Sequence, residues 1–311
     1  MKLATYSDGS RDGQLVVVSR DLTQAHYASG IAGRLQTALD DWNFYAPQLQ
    51  ELAAQLDAGK ARHAFAFDPA RCLAPLPRAY QRLDGVQTED MPRVVQCASD
   101  ALLSARSPIC VAAGADGLDL SARLAVITGD VPPGATPEQG QDAIRLVTLI
   151  NTFYWRADGG DNTSPATALG PVAVTPDEFG AAWQDGRLRL ILSVAVNDRK
   201  LGLIEMGRMR WSFGDLIAHA ARLRPLAAGT LVGSGAVGDA EGARGFASLS
   251  DKRAFERARE GQPHTPWLGA GDVVRIELKG ADGASVFGAI EQTAEAAEKQ
   301  PVAIKRGAIK P

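Results

Sequence analysis

The stretch Gly117 to Arg156, GLDLSARLAVITGDVPPGATPEQGQDAIRLVTLINTFYWR, constrains the fold more than any other part of the chain. It reads as a strand, a Pro/Gly turn, a helix and a second strand. Asp119, Ser121 and Arg123 alternate with Leu120, Ala122 and Leu124. In an extended strand the three polar side chains therefore share one face, in steps of about 7 Å. One face of this strand is built to hold something polar.

The chain has 311 residues, 45% hydrophobic and 22% charged, enough for one large domain and a smaller one. A net charge of −3 gives no broad attraction to nucleic acid or to an anionic membrane. Neither a secretory apolar segment nor a run of roughly 18 apolar residues is present, so a cytoplasmic protein is expected. Cys72, Cys97 and Cys110 are odd in number and lack C-x-x-C spacing, which supports neither a disulfide framework nor a zinc knuckle.

Residues 2–7 and 13–19 predict a hairpin across an Asp-Gly turn. Leu35, Leu39, Trp42, Phe44, Leu49, Leu52 and Leu56 predict two core-facing helices that bend at Pro47. Pro75 to Gln81 reads as a linker closing a small α+β domain, 1–75. From Arg82 to Asp116 the pattern is weak, with Val94, Val95, Leu102, Leu103, Ile109 and Val111 as apolar anchors. A main domain, 76–292, follows, rich in strands. It includes a capped helix start at Thr175, a strand over Arg187–Val196, a helix through Phe213–Ala220, and Val273–Leu278 paired with Ser285–Ile290. The tail, 293–311, reads as a helix stub or a disordered segment.

Gly233-Ser234-Gly235-Ala236-Val237-Gly238 matches G-x-G-x-x-G after an apolar strand, but the helix that should receive a pyrophosphate is missing. Ser234 lacks full nucleophile-elbow spacing, and its base would have to be His219 or His264. His26 and His63 form no metal-type pair. Lys252, Arg253, Arg257 and Arg259 interleave with Asp251, Glu256 and Glu260 as a solvated helix face. Two roles are open for Arg156: clamping a carboxylate with its planar fork, or pairing with Asp158 or Asp161.

ITGDVPPGAT with IRLVTLIN, SPATALGPVAVTPDEF, GTLVGSGAVG, and GDVVRIEL with GASVFGAI together resemble the fumarylacetoacetate hydrolase family. The likeness is to bacterial members with an extra N-terminal module. The resemblance implies a mostly β fold with some α, a rolled sheet core, and assembly as a homodimer. It further implies a divalent cation, magnesium or calcium, held by carboxylates, and a β-diketone or acylpyruvate-like substrate.

Ser121 and Arg123 stand where the family has two glutamates, and Thr152 where it has an aspartate, whereas Asn151 and Arg156 match. Ser164 replaces a lysine and Ala236 a threonine. No histidine lies between His63 and His219, and no lysine between Lys60 and Lys200. The resemblance thus implies a pseudoenzyme without cofactor: a scaffold or a binder of a small carboxylate or keto acid. In it Arg123 fills the cation's space and Asp119 orients it. The alternative is a metal-independent hydrolase, isomerase or decarboxylase of keto acids using Arg123, Arg156, Asp119 and Ser234.

Overall fold

The computed structural model describes residues 1–87, 90–111, 117–156, 162–238 and 242–296; of 162–165 it describes the backbone only. Strands β1 (Lys2–Tyr6) and β2 (Gln14–Val18) form the expected antiparallel hairpin. The elements β3 (Gln24–Tyr27), α1 (Leu35–Asp40), α2 (Trp42–Asp57) and β4 (Phe65–Ala66) follow. The bend between the helices falls at Asp41, whose φ of −137° and ψ of 62° are not helical, rather than at Pro47. Pro47 lies near the start of α2, where losing one backbone donor does not end the helix. Phe44 is 60% exposed instead of core, because the buried stripe of α2 runs through Ala46, Leu49, Ala53 and Leu56.

The weakly patterned segment supplies β5 (Arg82–Val86), β6 (Arg93–Cys97) and β7 (Ile109–Val111). Val95 is 44% exposed rather than an anchor, since β6 is an edge strand. The central motif folds in the expected order: β8 (Leu118–Asp119), β9 (Ala122–Thr128), α3 (Pro137–Asp142) and β10 (Ile144–Arg156). Thr136 and Gln139 form a reciprocal capping box that starts α3.

After β11 (Asn162–Leu169) and β12 (Ala173–Val174), Pro176–Ala182 forms 3-10 turns on either side of a kink at Gly180 (φ 50°, ψ −128°). Thr175 does not cap them; its hydroxyl accepts instead from the Met1 amine at 2.6 Å. The single strand expected over 187–196 is split. Strand β13 (Trp183–Gln184) turns tightly onto β14 (Arg187–Leu188), and β15 (Ile191–Val196) and β16 (Arg199–Glu205) start a separate sheet. Helix α4 (Phe213–Ala220), β17 (Leu231–Gly233), α5 (Leu249–Glu260), β18 (Val273–Leu278) and β19 (Ile290–Ala296) complete the described chain. The expected pairing of β18 with 285–290 holds only at the two ends of that segment, where Ser285 bridges Lys279, the Val286 N–H donates to the Leu278 carbonyl and Ile290 stands opposite Ile276; the ladder itself is with β19 and runs on to Val273–Thr293. Thr293–Ala296 are therefore strand rather than tail, fixed by parallel pairing of β19 with β7. Residues 297–311 lie outside the described residues.

The large sheet runs β4-β3-β2-β1-β12-β10-β9-β17-β5-β6, with β8 and β11 also on β10; the second runs β16-β15-β18-β19-β7. Leu124 and Val126 of β9 share a core with Leu192, Val194 and Ile276 of the second sheet. On the other face Ala125 and Ile127 share a core with Leu35, Leu39 and Leu49 of the helices. Each fully buried Leu or Val contributes about 1.5–3 kcal/mol, so β9 and β10, buried on both faces, are the rigid centre. Among the described residues no helix is long and apolar enough to cross a membrane.

Candidate functional site

Strands β9 and β10 pair antiparallel with Ile150 opposite Arg123, and the register carries through to Tyr154 opposite Asp119. By the two-residue alternation, Asp119, Ser121 and Arg123 therefore share a face with Thr152, Tyr154 and Arg156. Strand β5 reaches the same region because it pairs in parallel with β17, which itself pairs with β9. It brings in Arg82 and Asp84, which the sequence did not single out.

Arg123 donates from Nη1 to Asp84 Oδ2 in a close ion pair, and from Nε to Ser121 Oγ at 2.9 Å. Arg82 Nη2 lies 3.5 Å from the same Asp84 oxygen and donates to Thr152 Oγ1 at 2.8 Å. All are buried: Arg82 is 2%, Asp84 1% and Arg123 7% exposed. Burial opposes the charge of Arg123, but the Asp84 carboxylate outweighs it and holds the guanidinium pKa above its ordinary value. Arg82 Nε and Asn151 Nδ2 are buried donors without a hydrogen-bond partner among the described residues. Asn151 Oδ1 accepts from the Ser121 N–H at 3.2 Å.

Asp119 does not orient Arg123. Its Oδ1 accepts from the N–H groups of Leu249, at 2.8 Å, and Ser250, at 3.2 Å, at the N-terminus of α5, and its Oδ2 from Arg156 Nε at 3.1 Å. Burial raises its pKa, with Ser250 and Arg156 opposing. Arg156 thus pairs with Asp119; Asp158 and Asp161 lie outside the described residues. Tyr154 sits between the two groups, its ring centroid 4.4 Å from the Arg156 guanidinium and 5.5 Å from that of Arg123. Burial raises its phenol pKa, against the pull of Arg123.

The glycine-rich motif does cradle an anion, but the anion is the protein's own. Gly235 N–H donates to Asp84 Oδ1 at 3.2 Å, and a Cβ on Gly233 would lie 2.4 Å from that oxygen. Gly235, at φ 73°, would press a Cβ to 2.1 Å from the Gly85 carbonyl. Ser234 contributes backbone rather than a nucleophile: it is fully buried, and its hydroxyl donates to the Gly235 carbonyl at 2.9 Å. His264 pairs with Glu260, and His219 lies on α4; among the described residues neither bonds Ser234. The backbone of Ser164 belongs to β11, and its side chain lies outside the described residues. The basic face of α5 is not wholly solvated, since Arg253 stacks 4.2 Å from the Trp267 ring centroid and donates to the Thr265 carbonyl. Among the described residues no group of three or more His, Cys, Asp or Glu side chains is placed to hold a metal ion.

The profile described as Fumarylacetoacetase N-terminal domain 2 matches residues 1–78, and that described as Fumarylacetoacetate (FAA) hydrolase C-terminal matches residues 71–294. The chain belongs to the fumarylacetoacetate hydrolase family. Among curated proteins no sequence matches. The fold is similar to that of maleylpyruvate hydrolase from Sphingobium sp. SYK-6, with a TM-score of 0.68 at 15% identity over 96% of this chain and 100% of that one. A probable 2-hydroxyhepta-2,4-diene-1,7-dioate isomerase from Mycobacterium abscessus gives a TM-score of 0.68 at 14% identity, over 96% of this chain and 100% of that one. Fumarylacetoacetate hydrolase from the psychrophile Exiguobacterium antarcticum gives 0.63 at 16%, with the same coverage. At these identities the likeness establishes the fold of this fumarylacetoacetate hydrolase family member and leaves its chemistry to its own residues.

Of the residues that reasoning on the sequence missed, Tyr154 had a signal, since it continues the alternation of Thr152 and Arg156. Arg82 and Asp84 had none beyond an Arg-x-Asp spacing in a weakly patterned segment.

Proposed function

We propose that this member of the family has lost metal-dependent hydrolysis and binds a small carboxylate in the space its relatives give to the cation. The observation that carries this reading is that Arg82 and Arg123 share the single carboxylate of Asp84. Among the described residues the cluster therefore holds one positive charge in excess, in a buried setting where charge interactions are strong. A hard divalent cation requires several anionic oxygens. Here the Asp84 carboxylate is taken up by two guanidiniums and a backbone N–H, and Asp119 by Arg156 and the first turn of α5. A dication does not fit this donor set.

A monocarboxylate does fit the charge. Arg82 Nε and Asn151 Nδ2, without a partner among the described residues, are spare donors in the same cluster, and a guanidinium is suited to carboxylate geometry. The Sphingobium maleylpyruvate hydrolase has been solved with manganese(II) and pyruvate, and pyruvate is the first ligand to test. Calorimetry on dialysed protein is expected to show pyruvate binding that magnesium or manganese does not alter. Tight binding of either metal alone would remove the basis of this reading. A second reading keeps an enzyme, with Tyr154 as the proton donor or acceptor beside Arg123. Turnover of a diketo acid that is insensitive to chelator and lost on Tyr154→Phe would favour it, and no turnover across a panel of such acids would end it.

A further inference from the structure

A cavity of about 610 Å³ opens between the β15–β16 turn, helix α5 and the loop entering β18. That volume suits a small molecule, for which sites span roughly 300–1,000 Å³. Its apolar lining includes Leu201, Leu249, Leu268 and Trp267, and its cations are Arg199, Lys200 and Lys252.

Two acids also line it, and both are engaged by the protein itself. Glu256 accepts from the N–H groups of His264, at 2.7 Å, and Thr265, at 2.8 Å, and from Thr265 Oγ1 at 2.5 Å. Asp272 accepts from Asn197 Nδ2 at 2.6 Å and from Gly269 N–H at 2.7 Å. These bonds tie the walls together and occupy part of the accepting capacity of both carboxylates. Lys252 Nζ reaches Glu256 only at 4.0 Å. The charged groups of Arg199 and Lys200, at the exposed start of β16, have no ion-pair partner among the described residues. The Trp267 ring packs against the Arg253 guanidinium at 4.2 Å, a contact that favours one orientation of the indole as a flat wall.

We propose that this cavity binds a flat aromatic carboxylate, its ring against Trp267, Leu201 and Leu249 and its anion toward Arg199, Lys200 and Lys252. The two uncommitted cations supply the selection for an anion, and the apolar lining with the flat indole supplies the selection for a ring. The site is separate from the Arg82–Asp84–Arg123 cluster, shares no residue with it, and stands whether or not that cluster takes a ligand.

Benzoate is the probe, with the full chain and ligand-observed saturation-transfer NMR. Saturable binding is expected, with Kd raised about five- to tenfold by Arg199→Ala/Lys200→Ala, as befits the loss of two exposed charges. Lys252→Ala serves as a second variant on a separate element and is expected to weaken binding in the same direction. Acetate in excess, small enough for the central cluster and lacking a ring, is expected to leave the benzoate signal in place. Absence of saturable binding up to about 10 mM benzoate, unchanged Kd in both variants, or full displacement by acetate would each overturn the proposal.

Discussion

Replacing Asp84 by asparagine removes one charge and almost no volume, which isolates the electrostatics of the central cluster. Asp84 lies 1% exposed, with Arg123 and Arg82 on one oxygen and the Gly235 N–H on the other. Breaking a buried ion pair by deleting one partner costs about 3–5 kcal/mol, because the surviving charge stays buried and uncompensated. Here two guanidiniums survive, so Asp84→Asn is expected to cost at least the lower figure, about 3 kcal/mol. For a chain of this size that lowers Tm by roughly 5–15 °C. Arg123→Met leaves Asp84 with Arg82 and is expected to cost less. The double variant then loses less than the sum of the two single losses, by about 1–3 kcal/mol of coupling. Chemical denaturation of the four proteins in the cycle reads both quantities. A loss under about 1 kcal/mol for Asp84→Asn, or strict additivity in the cycle, would refute the assignment of Asp84 as the shared counter-ion.

Gly233→Ala is expected to cost about 1–3 kcal/mol by denaturant titration, since the added methyl would meet Asp84 Oδ1 at 2.4 Å and Ile150 Cδ1 at 3.3 Å. For acid stability, burial works against the charge of Glu178, but hydrogen bonds from Arg20 and the Met1 amine outweigh it and hold the carboxyl at about 2. Its folded pKa is thus below its ordinary value of 4.5, so its contribution is fully present above that value and is lost as pH falls toward 2. With Arg20 largely exposed, the contribution is about 1–2 kcal/mol, and Glu178→Gln is expected to flatten the acid limb of a stability–pH curve. Cys110 is exposed, whereas Cys72 is buried and its thiol is pushed up to about 12. A thiol-reactive dye is therefore expected to label Cys110 in the native protein and Cys72 only on unfolding, as peptide mass spectrometry of timed samples would record.

Local chemistry accounts for the parts of the fold that were legible beforehand. The Thr136–Gln139 capping box, the glycine turns and the alternation of β9 and β10 act over a few residues, so their elements fall where the pattern puts them. The errors lie where a distant segment decides. Thr175 is drawn from helix capping to the Met1 amine, β18 finds its partner past a bridge and a loop, and the last residues described join a sheet through β7.

The same division runs through the candidate site. The sequence by itself determined that Asp119, Ser121 and Arg123 share a face of one strand, and its family motifs placed Thr152 and Arg156 on the strand that ends the same stretch. It did not determine what Arg123 faces. Asp84, 39 residues away, reaches Arg123 because β5 lies parallel to β17 beside β9, and the Gly233–Gly235 turn accepts it because no Cβ stands in the way. Asp119, the nearer acid in sequence, is instead drawn to the N-terminus of α5 and to Arg156. A buried charge takes the counter-charge that tertiary packing brings within hydrogen-bonding reach, and strand alternation carries no information about which one that is.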